Sequence, residues 1–257
     1  MTQPADEVPV REAATVVLLR NGVDGVEAWL LTRVTQMAFA AGMTVFPGGR
    51  VDPSDASLPL AGGDVALLAA RFGCDEPTAH ALLGAAVRET FEETGVLLSV
   101  PVADLSDARA DVERGLVSFG DLLRANDLAI DAHALYPWSR WITPAGEARR
   151  YDTRFFVGAL PEAAEAQDVT TEASAAAWVA VRAAIEEAQR GERKMLPPTL
   201  ATLASLVEFD TVAEVVAASA ERRLDPVRPQ VRVGDDGSVA VELPDGSFVP
   251  VPRSMFR

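Results

Sequence analysis

Arg88-Glu89-Thr90-Phe91-Glu92-Glu93-Thr94-Gly95-Val96 gathers three glutamates into little more than one helical turn and then meets a glycine. On an α-helix Glu89 and Glu93 are i and i+4 and share a face, and Glu92, three residues on from Glu89, lies beside them. Three carboxylates on one face repel each other unless a cation sits among them, and Mg²⁺ takes a few carboxylates plus waters. An acidic, solvated face is the ordinary reading of such a cluster. Two features oppose it. The glutamates fall in the last turn, where the helix dipole disfavours anions, and Phe46-Pro47-Gly48-Gly49 upstream offers a glycine turn whose backbone can join the same site. A bound divalent cation accounts for this charge placement. The opposite face of the segment, Leu82-Leu83, Ala86-Val87 and Phe91, has core spacing.

Outward from this helix the pattern mixes strands and helices. Asp75-Glu76-Pro77 is a helix start, with a capping side chain, an acid and an early proline. The helix is predicted to run to Thr94 and stop at Gly95. Asp64 caps a shorter helix through Ala70, with Gly73 beyond its end. Residues 14–19 and 26–32 read as strands about an Asn21-Gly22, Asp24-Gly25 turn. Residues 42–46 are extended and lead into the glycine turn, and 52–63 form a loop. Further strands are expected at 96–100, 138–142, 153–160 and 175–181. Helices are expected at 105–126, where Gly115 and Gly120 weaken the pattern, at 182–190 and at 199–218. Residues 231–243 form a hairpin about Asp235-Asp236-Gly237 that ends the fold. The sum is an α+β fold, a mixed sheet with helices packed on it.

Composition narrows the chemistry. The 257 residues carry 23 Lys plus Arg against 38 Asp plus Glu, a net charge of −15. Nucleic acid and anionic membranes reward a basic surface, so neither is an expected partner. Lys194 is the only lysine, which rules out a Gly-Lys-Ser/Thr phosphate loop and leaves one candidate for Schiff-base chemistry, beside the apolar Met195-Leu196-Pro197. One cysteine, Cys74, excludes an intrachain disulfide, and with His80 and His133 it makes no ordinary zinc site. The N-terminus lacks the basic and apolar regions of a signal peptide, and no apolar run approaches the ~20 residues of a membrane helix. A cytoplasmic location is expected.

The glycine turn and the glutamate stretch together resemble the Nudix box, Gly-x5-Glu-x7-Arg-Glu-U-x-Glu-Glu-x-Gly-U with U apolar. Gly49 is its first glycine, and Thr90 stands at one apolar position. Six residues on from Gly49 is Asp55, where the family has Glu. Between Asp55 and Arg88 lie 32 residues rather than seven, so the box is interrupted by an insertion of 25 and the counterpart of the family's Glu is left open. Leu30-Leu31-Thr32-Arg33 followed by Gly42-x3-Phe46-Pro47-Gly48-Gly49 is similar to the segment before the box in coenzyme A diphosphatases, although a second Arg of that motif is replaced by Ala38. With Trp138-Ser139-Arg140-Trp141-Ile142-Thr143-Pro144, Arg150-Tyr151-Asp152-Thr153-Arg154-Phe155-Phe156 and Leu196-Pro197-Pro198-Thr199, the interrupted box resembles the peroxisomal acyl-CoA diphosphatase branch and its bacterial relatives, over roughly residues 12–208.

The resemblance implies a Nudix-type α/β/α sandwich with a mixed β-sheet and a helical insertion. It divides the chain into a tail (1–11), a catalytic domain (12–222) interrupted at 56–87, and a C-terminal β-hairpin extension (223–257). It implies that Glu89, Glu92 and Glu93 bind Mg²⁺ or Mn²⁺ with the Gly49 carbonyl, and that Arg88 orients Glu89, the first choice for the proton acceptor. Arg33, Gly48, Gly49, Arg150 and Arg154 are implied as substrate contacts, and Glu172 as a base or extra metal ligand. The expected substrate is a small nucleoside diphosphate derivative, foremost CoA or acyl-CoA. NADH, ADP-ribose or an ADP-sugar, or a non-catalytic nucleotide-sensing role, are the alternatives. The insertion is placed to shape substrate choice, to pack or to form a homodimer interface.

Overall fold

Residues 14–19 alternate between two buried faces, and that alternation sets the layers. Ala14, Val16 and Leu18 enter one core and Val17 and Leu19 the other. They belong to β1 (Val10–Gly22) of a computed structural model that describes residues 8–34, 42–145, 147–162, 164–167, 173–233, 239–242 and 248–250. The chain continues through β2 (Gly25–Arg33), β3 (Thr44–Val45), β4 (Gly48–Arg50), β5 (Leu60–Ala61), α1 (Val65–Phe72), α2 (Glu76–Thr94), β6 (Ser99–Val100), α3 (Arg109–Glu113) and α4 (Phe119–Ala125). It then forms β7 (Ala129–Asp131), β8 (Tyr136–Ile142), β9 (Arg150–Ala159), β10 (Ala173–Ala180), α5 (Val181–Gln189), α6 (Pro197–Ala204) and α7 (Val212–Ser219). β11 (Pro226–Val227), β12 (Gln230–Val233), β13 (Val239–Glu242) and β14 (Phe248–Pro250) complete it.

The main sheet has the order β10-β2-β1-β9-β8-β11, with β3 on β2 and β4 on β1. β1 runs parallel to β9 and β8 parallel to β11, while the other pairs are antiparallel, so the sheet is mixed as expected. One core gathers Phe72 of α1, Leu82, Leu83, Val87 and Phe91 of α2, and Phe119 and Leu123 of α4 against the sheet. The other gathers Val181 and Ala184 of α5, Leu203 of α6, and Val212 and Val215 of α7. Helices on both faces make the α/β/α sandwich. No helix among the described residues is long and apolar enough to cross a membrane.

Local signals set the ends of the box helix. Asp75 accepts the Thr78 N–H at 2.9 Å, Pro77 lies in the first turn, and Gly95 adopts a left-handed φ of 76°. Other boundaries differ from the sequence reading. The helix expected over 105–126 breaks into α3 and α4, because Gly115 turns left-handed and Ser118 caps a new helix. The helix expected over 199–218 is two, because a capping box of Thr211 and Glu214 starts α7 afresh. In the strand expected over 96–100, only Ser99–Val100 pairs with β7, and Val96, Leu97 and Leu98 are buried in the core instead. The C-terminal hairpin gains a third strand, β14, and its turn lies outside the described residues. Within the expected loop 52–63, residues Pro53–Ser57 form a 3-10 turn that buries Asp55 completely.

Gly84 shows how closely that turn meets α2. A Cβ at Gly84 would sit 2.5 Å from the Asp55 carbonyl oxygen. Alanine is the better helix former by ~1 kcal/mol, yet overpacking costs about 1–3 kcal/mol. Gly84→Ala is therefore expected to lower the midpoint of thermal unfolding, followed by circular dichroism. A raised midpoint would contradict this packing.

Candidate active site

The site is built around a guanidinium. Arg88 Nε donates to Asp55 Oδ1 at 2.8 Å and Nη2 to Asp55 Oδ2 at 3.0 Å, a bidentate pair. Nη2 also donates to the Arg50 carbonyl at 3.0 Å, and Nη1 to Glu89 Oε1 at 2.8 Å. Glu92 is reached more loosely, at 3.4 Å. Burial alone would lower the Arg88 pKa, but the hydrogen bonds it donates to Asp55 and the charges of Glu89, Asp55 and Glu92 outweigh it and raise the value. Asp55 Oδ2 also accepts the Asp52 N–H at 2.8 Å, so the 3-10 turn aims the carboxylate. Gly84 and Arg88 are i and i+4 on one face. The absent Cβ at Gly84 lets the Asp55 backbone close on the helix, so a side chain one methylene shorter than glutamate reaches the guanidinium. Asp55 and Arg88 thus meet despite the 32 residues between them.

β4 brings the glycine turn to the glutamates. It pairs with β1, Thr15 opposite Gly48 and Ala14 opposite Gly49. The Gly48 N–H donates to Glu93 Oε2 at 3.0 Å. A Cβ at Gly48 would lie 2.5 Å from the Ala14 carbonyl oxygen, so that position requires glycine, and one at Gly49 would lie 2.4 Å from Glu89 Oε1 and push that carboxylate aside. Burial, opposed by Arg88 and reinforced by the Glu89 charge, pushes Glu92 up to about 7. Thr90 keeps its apolar position buried by donating its hydroxyl to the Ala86 carbonyl at 2.7 Å.

Among the described residues no three acid, His or Cys side chains converge as a ready metal site. Glu89 and Glu92 lean on Arg88, and Glu93 on the Gly48 N–H. The donor set is nonetheless all oxygen, three carboxylates against the Gly48-Gly49 turn, and suits a hard divalent cation. Arg109, 7 % exposed, donates to the Glu92 carbonyl at 2.8 Å and to Glu113 at 2.7 Å. A cation of the protein's own therefore sits at the end of α2, and with Arg88 it offsets part of the repulsion. Arg109 lies on a separate helix, and no local pattern in the sequence marks it.

The other candidates are dispersed. Arg33 ends β2, its N–H donating to the Met43 carbonyl. Arg150 is level with Val10, five residues along β1 from the Thr15 that faces Gly48, and donates to the Thr143 and Val8 carbonyls. Arg154 is 1 % exposed and pairs with Glu12 and Asp152, and Asp152 also holds Arg140. Its guanidinium is committed inside the protein. Burial raises both Glu12 and Cys74 in this neighbourhood. Trp138 and Trp141 are core residues of the second layer. His80 Nε2 lies 2.9 Å from the Leu58 carbonyl, and His133 Nε2 accepts the Gly63 N–H at 3.0 Å. Glu172 and Ala38 lie outside the described residues.

Comparison with known proteins bears on this arrangement. Residues 68–206 match the NUDT19 Nudix domain family model. The chain is 30 % identical over 304 residues to the acyl-coenzyme A diphosphatase NUDT19 of Gallus gallus, covering 93 % of this chain and 80 % of that protein. It is 28 % identical over 283 residues to the same-named protein of Xenopus laevis, covering 90 % and 73 %. The crystal structure of a NUDIX hydrolase from Alicyclobacillus acidocaldarius superposes with a TM-score of 0.70 at 30 % identity, over 85 % of this chain and 99 % of that one. With the interrupted box closed in space by Asp55 and Arg88, the chain belongs to the NUDT19-type Nudix family and is a pyrophosphohydrolase.

Proposed function

We propose that this protein hydrolyses the diphosphate linkage of coenzyme A or an acyl-coenzyme A, using Mg²⁺ or Mn²⁺. One observation carries the reading: the Glu89, Glu92 and Glu93 face of α2 lies against Gly48-Gly49, with Arg88 between the glutamates and Asp55. The substrate class is supported by the relatives named acyl-coenzyme A diphosphatases, which match about nine-tenths of the chain.

Glu89, Glu92, Glu93 and the Gly49 carbonyl would hold the cation. Such a cation neutralises non-bridging phosphate oxygens and acidifies water. Around it, Glu89 accepts the proton of the attacking water. Arg88 keeps Glu89 in place, and Asp55 keeps Arg88 in place. Water adds its oxygen to one phosphorus, and the bond from that phosphorus to the bridging oxygen breaks. The products are a 4′-phosphopantetheine species and adenosine 3′,5′-bisphosphate.

Glu89→Gln is expected to lower kcat by about 10²–10⁴-fold, the range for loss of a general base, and Glu93→Gln to lose metal-dependent turnover, both with unfolding midpoints near the parent's. The check is product masses from a panel of CoA, acyl-CoA, NADH and ADP-ribose. Near-parental turnover in both variants would remove the assignment. Chelation by EDTA is expected to abolish hydrolysis, and added Mg²⁺ or Mn²⁺ to restore it. Turnover that persists under chelation would remove the metal from the reading.

A further inference from the structure

Lys194 stands out by what surrounds it. It is the only lysine in a chain of net charge −15, and its side chain is exposed. The acids beside it are already taken: Arg190 holds Glu192 at 2.9 and 3.0 Å, and Arg193 holds Glu187 at 2.7 Å. No carboxylate among the described residues pairs with its ammonium. In a chain this acidic, an unpaired cation lowers the local negative potential that would otherwise repel an anion.

The backbone places it. The Lys194 carbonyl accepts the Thr44 N–H at 2.7 Å, and Met195 bridges Thr44 in parallel fashion. On the other side of the same segment the Arg33 N–H donates to the Met43 carbonyl at 3.0 Å, and Thr32 pairs with Thr44. Met195 is buried in the core beneath α5–α7. Side chains alternate along an extended chain, so Lys194 takes the opposite face. Leu31 and its partner Val45 pack into the core beneath α2, and Arg33, two residues on from Leu31, shares their face. Arg33 and Lys194 thus flank Met43–Thr44 on the face of the sheet that carries α2 and its glutamates. Two strand spacings separate their backbones by about 10 Å, within reach of two long side chains closing on one group. β3 then runs directly into the glycine turn that contacts Glu93.

We infer that Lys194 and Arg33 form a two-pronged clamp for a phosphate group of the substrate. Arg offers a planar fork and Lys a compact charge, and both suit phosphate oxygens. The inference rests on the substrate being a phosphorylated nucleotide derivative, as proposed above. The phosphate is either part of the diphosphate or a monoester elsewhere on the nucleotide. The clamp grips non-bridging phosphate oxygens equally in the bound substrate and in the transition state, so its loss raises KM and leaves kcat nearly unchanged.

A single lysine makes the test direct. Reductive ¹³C-methylation of the full-length protein labels Lys194 and the N-terminal amine, retains the charge, and gives one lysine signal by NMR. Adenosine 3′,5′-bisphosphate or inorganic pyrophosphate is expected to shift that signal saturably, and adenosine to leave it in place. In kinetics, Lys194→Gln should raise KM about tenfold with kcat within twofold, and Lys194→Arg should recover most of the loss. An effect with CoA and none with dephospho-CoA assigns the clamp to the phosphate monoester, and an equal effect with both assigns it to the diphosphate. An unmoved lysine signal, or an unchanged KM for both substrates, overturns the clamp. If the parent enzyme hydrolyses neither substrate, the functional reading fails while the NMR titration still decides the clamp.

Discussion

A guanidinium buried to 10 % exposure has to be surrounded by acceptors, and meeting that demand at Arg88 organises the centre of this protein. Its acceptors come from four places: Asp55 on the 3-10 turn, the Arg50 carbonyl at the end of β4, Glu89 on the same helix, and Glu92 one turn on. Satisfying them fixes β4 and the turn against α2. That in turn puts Gly48 under Glu93 and Gly49 under Glu89. Gly48 is demanded by the same closeness. A side chain there would meet the β1 backbone, and one at Gly49 would displace a carboxylate. The site is thus one packed unit, in which each polar group is paid for by its neighbour.

The insertion is absorbed without opening that unit. It supplies β5, α1 and the first part of α2, so the box helix starts well before Arg88 and is anchored by its own cap at Asp75. α1 is clamped in turn, Arg140 donating to the Phe72 carbonyl at 2.6 Å and Arg71 to the Ser219 and Arg222 carbonyls. Gly84 gives the close approach that brings the two ends of the extra chain together.

Charge is distributed with the same economy. The excess of acids makes most of the surface anionic, and many arginines are held in ion pairs, exposed ones such as Arg20 with Glu27 and buried ones such as Arg154 with Asp152. Arg88 and Arg109 serve the acidic end of α2. The three glutamates in that last turn read as a demand for a cation from outside. The fold meets part of the demand itself, because α3 carries Arg109 to the Glu92 carbonyl.

What could be read along the chain was what neighbours in sequence decide. The limits of α2 follow from Asp75, Pro77 and Gly95, the two-faced pattern of β1 from its alternation, and the shared face of Glu89, Glu92 and Glu93 from helical periodicity. The break at Gly115 is marked by the glycine that weakens the pattern there, and the break before α7 is local too, set by the Thr211–Glu214 capping box. Tertiary structure alone decided the rest. It paired Asp55 with Arg88 across 32 residues, sent Arg154 into an internal pair with Asp152, brought Arg109 to the helix end, and set Arg33 and Lys194 on either side of β3. The reason is physical: a capping side chain or a helical face is set within a few residues, whereas the partner of a buried charge is whichever group the packed layers bring within hydrogen-bond reach.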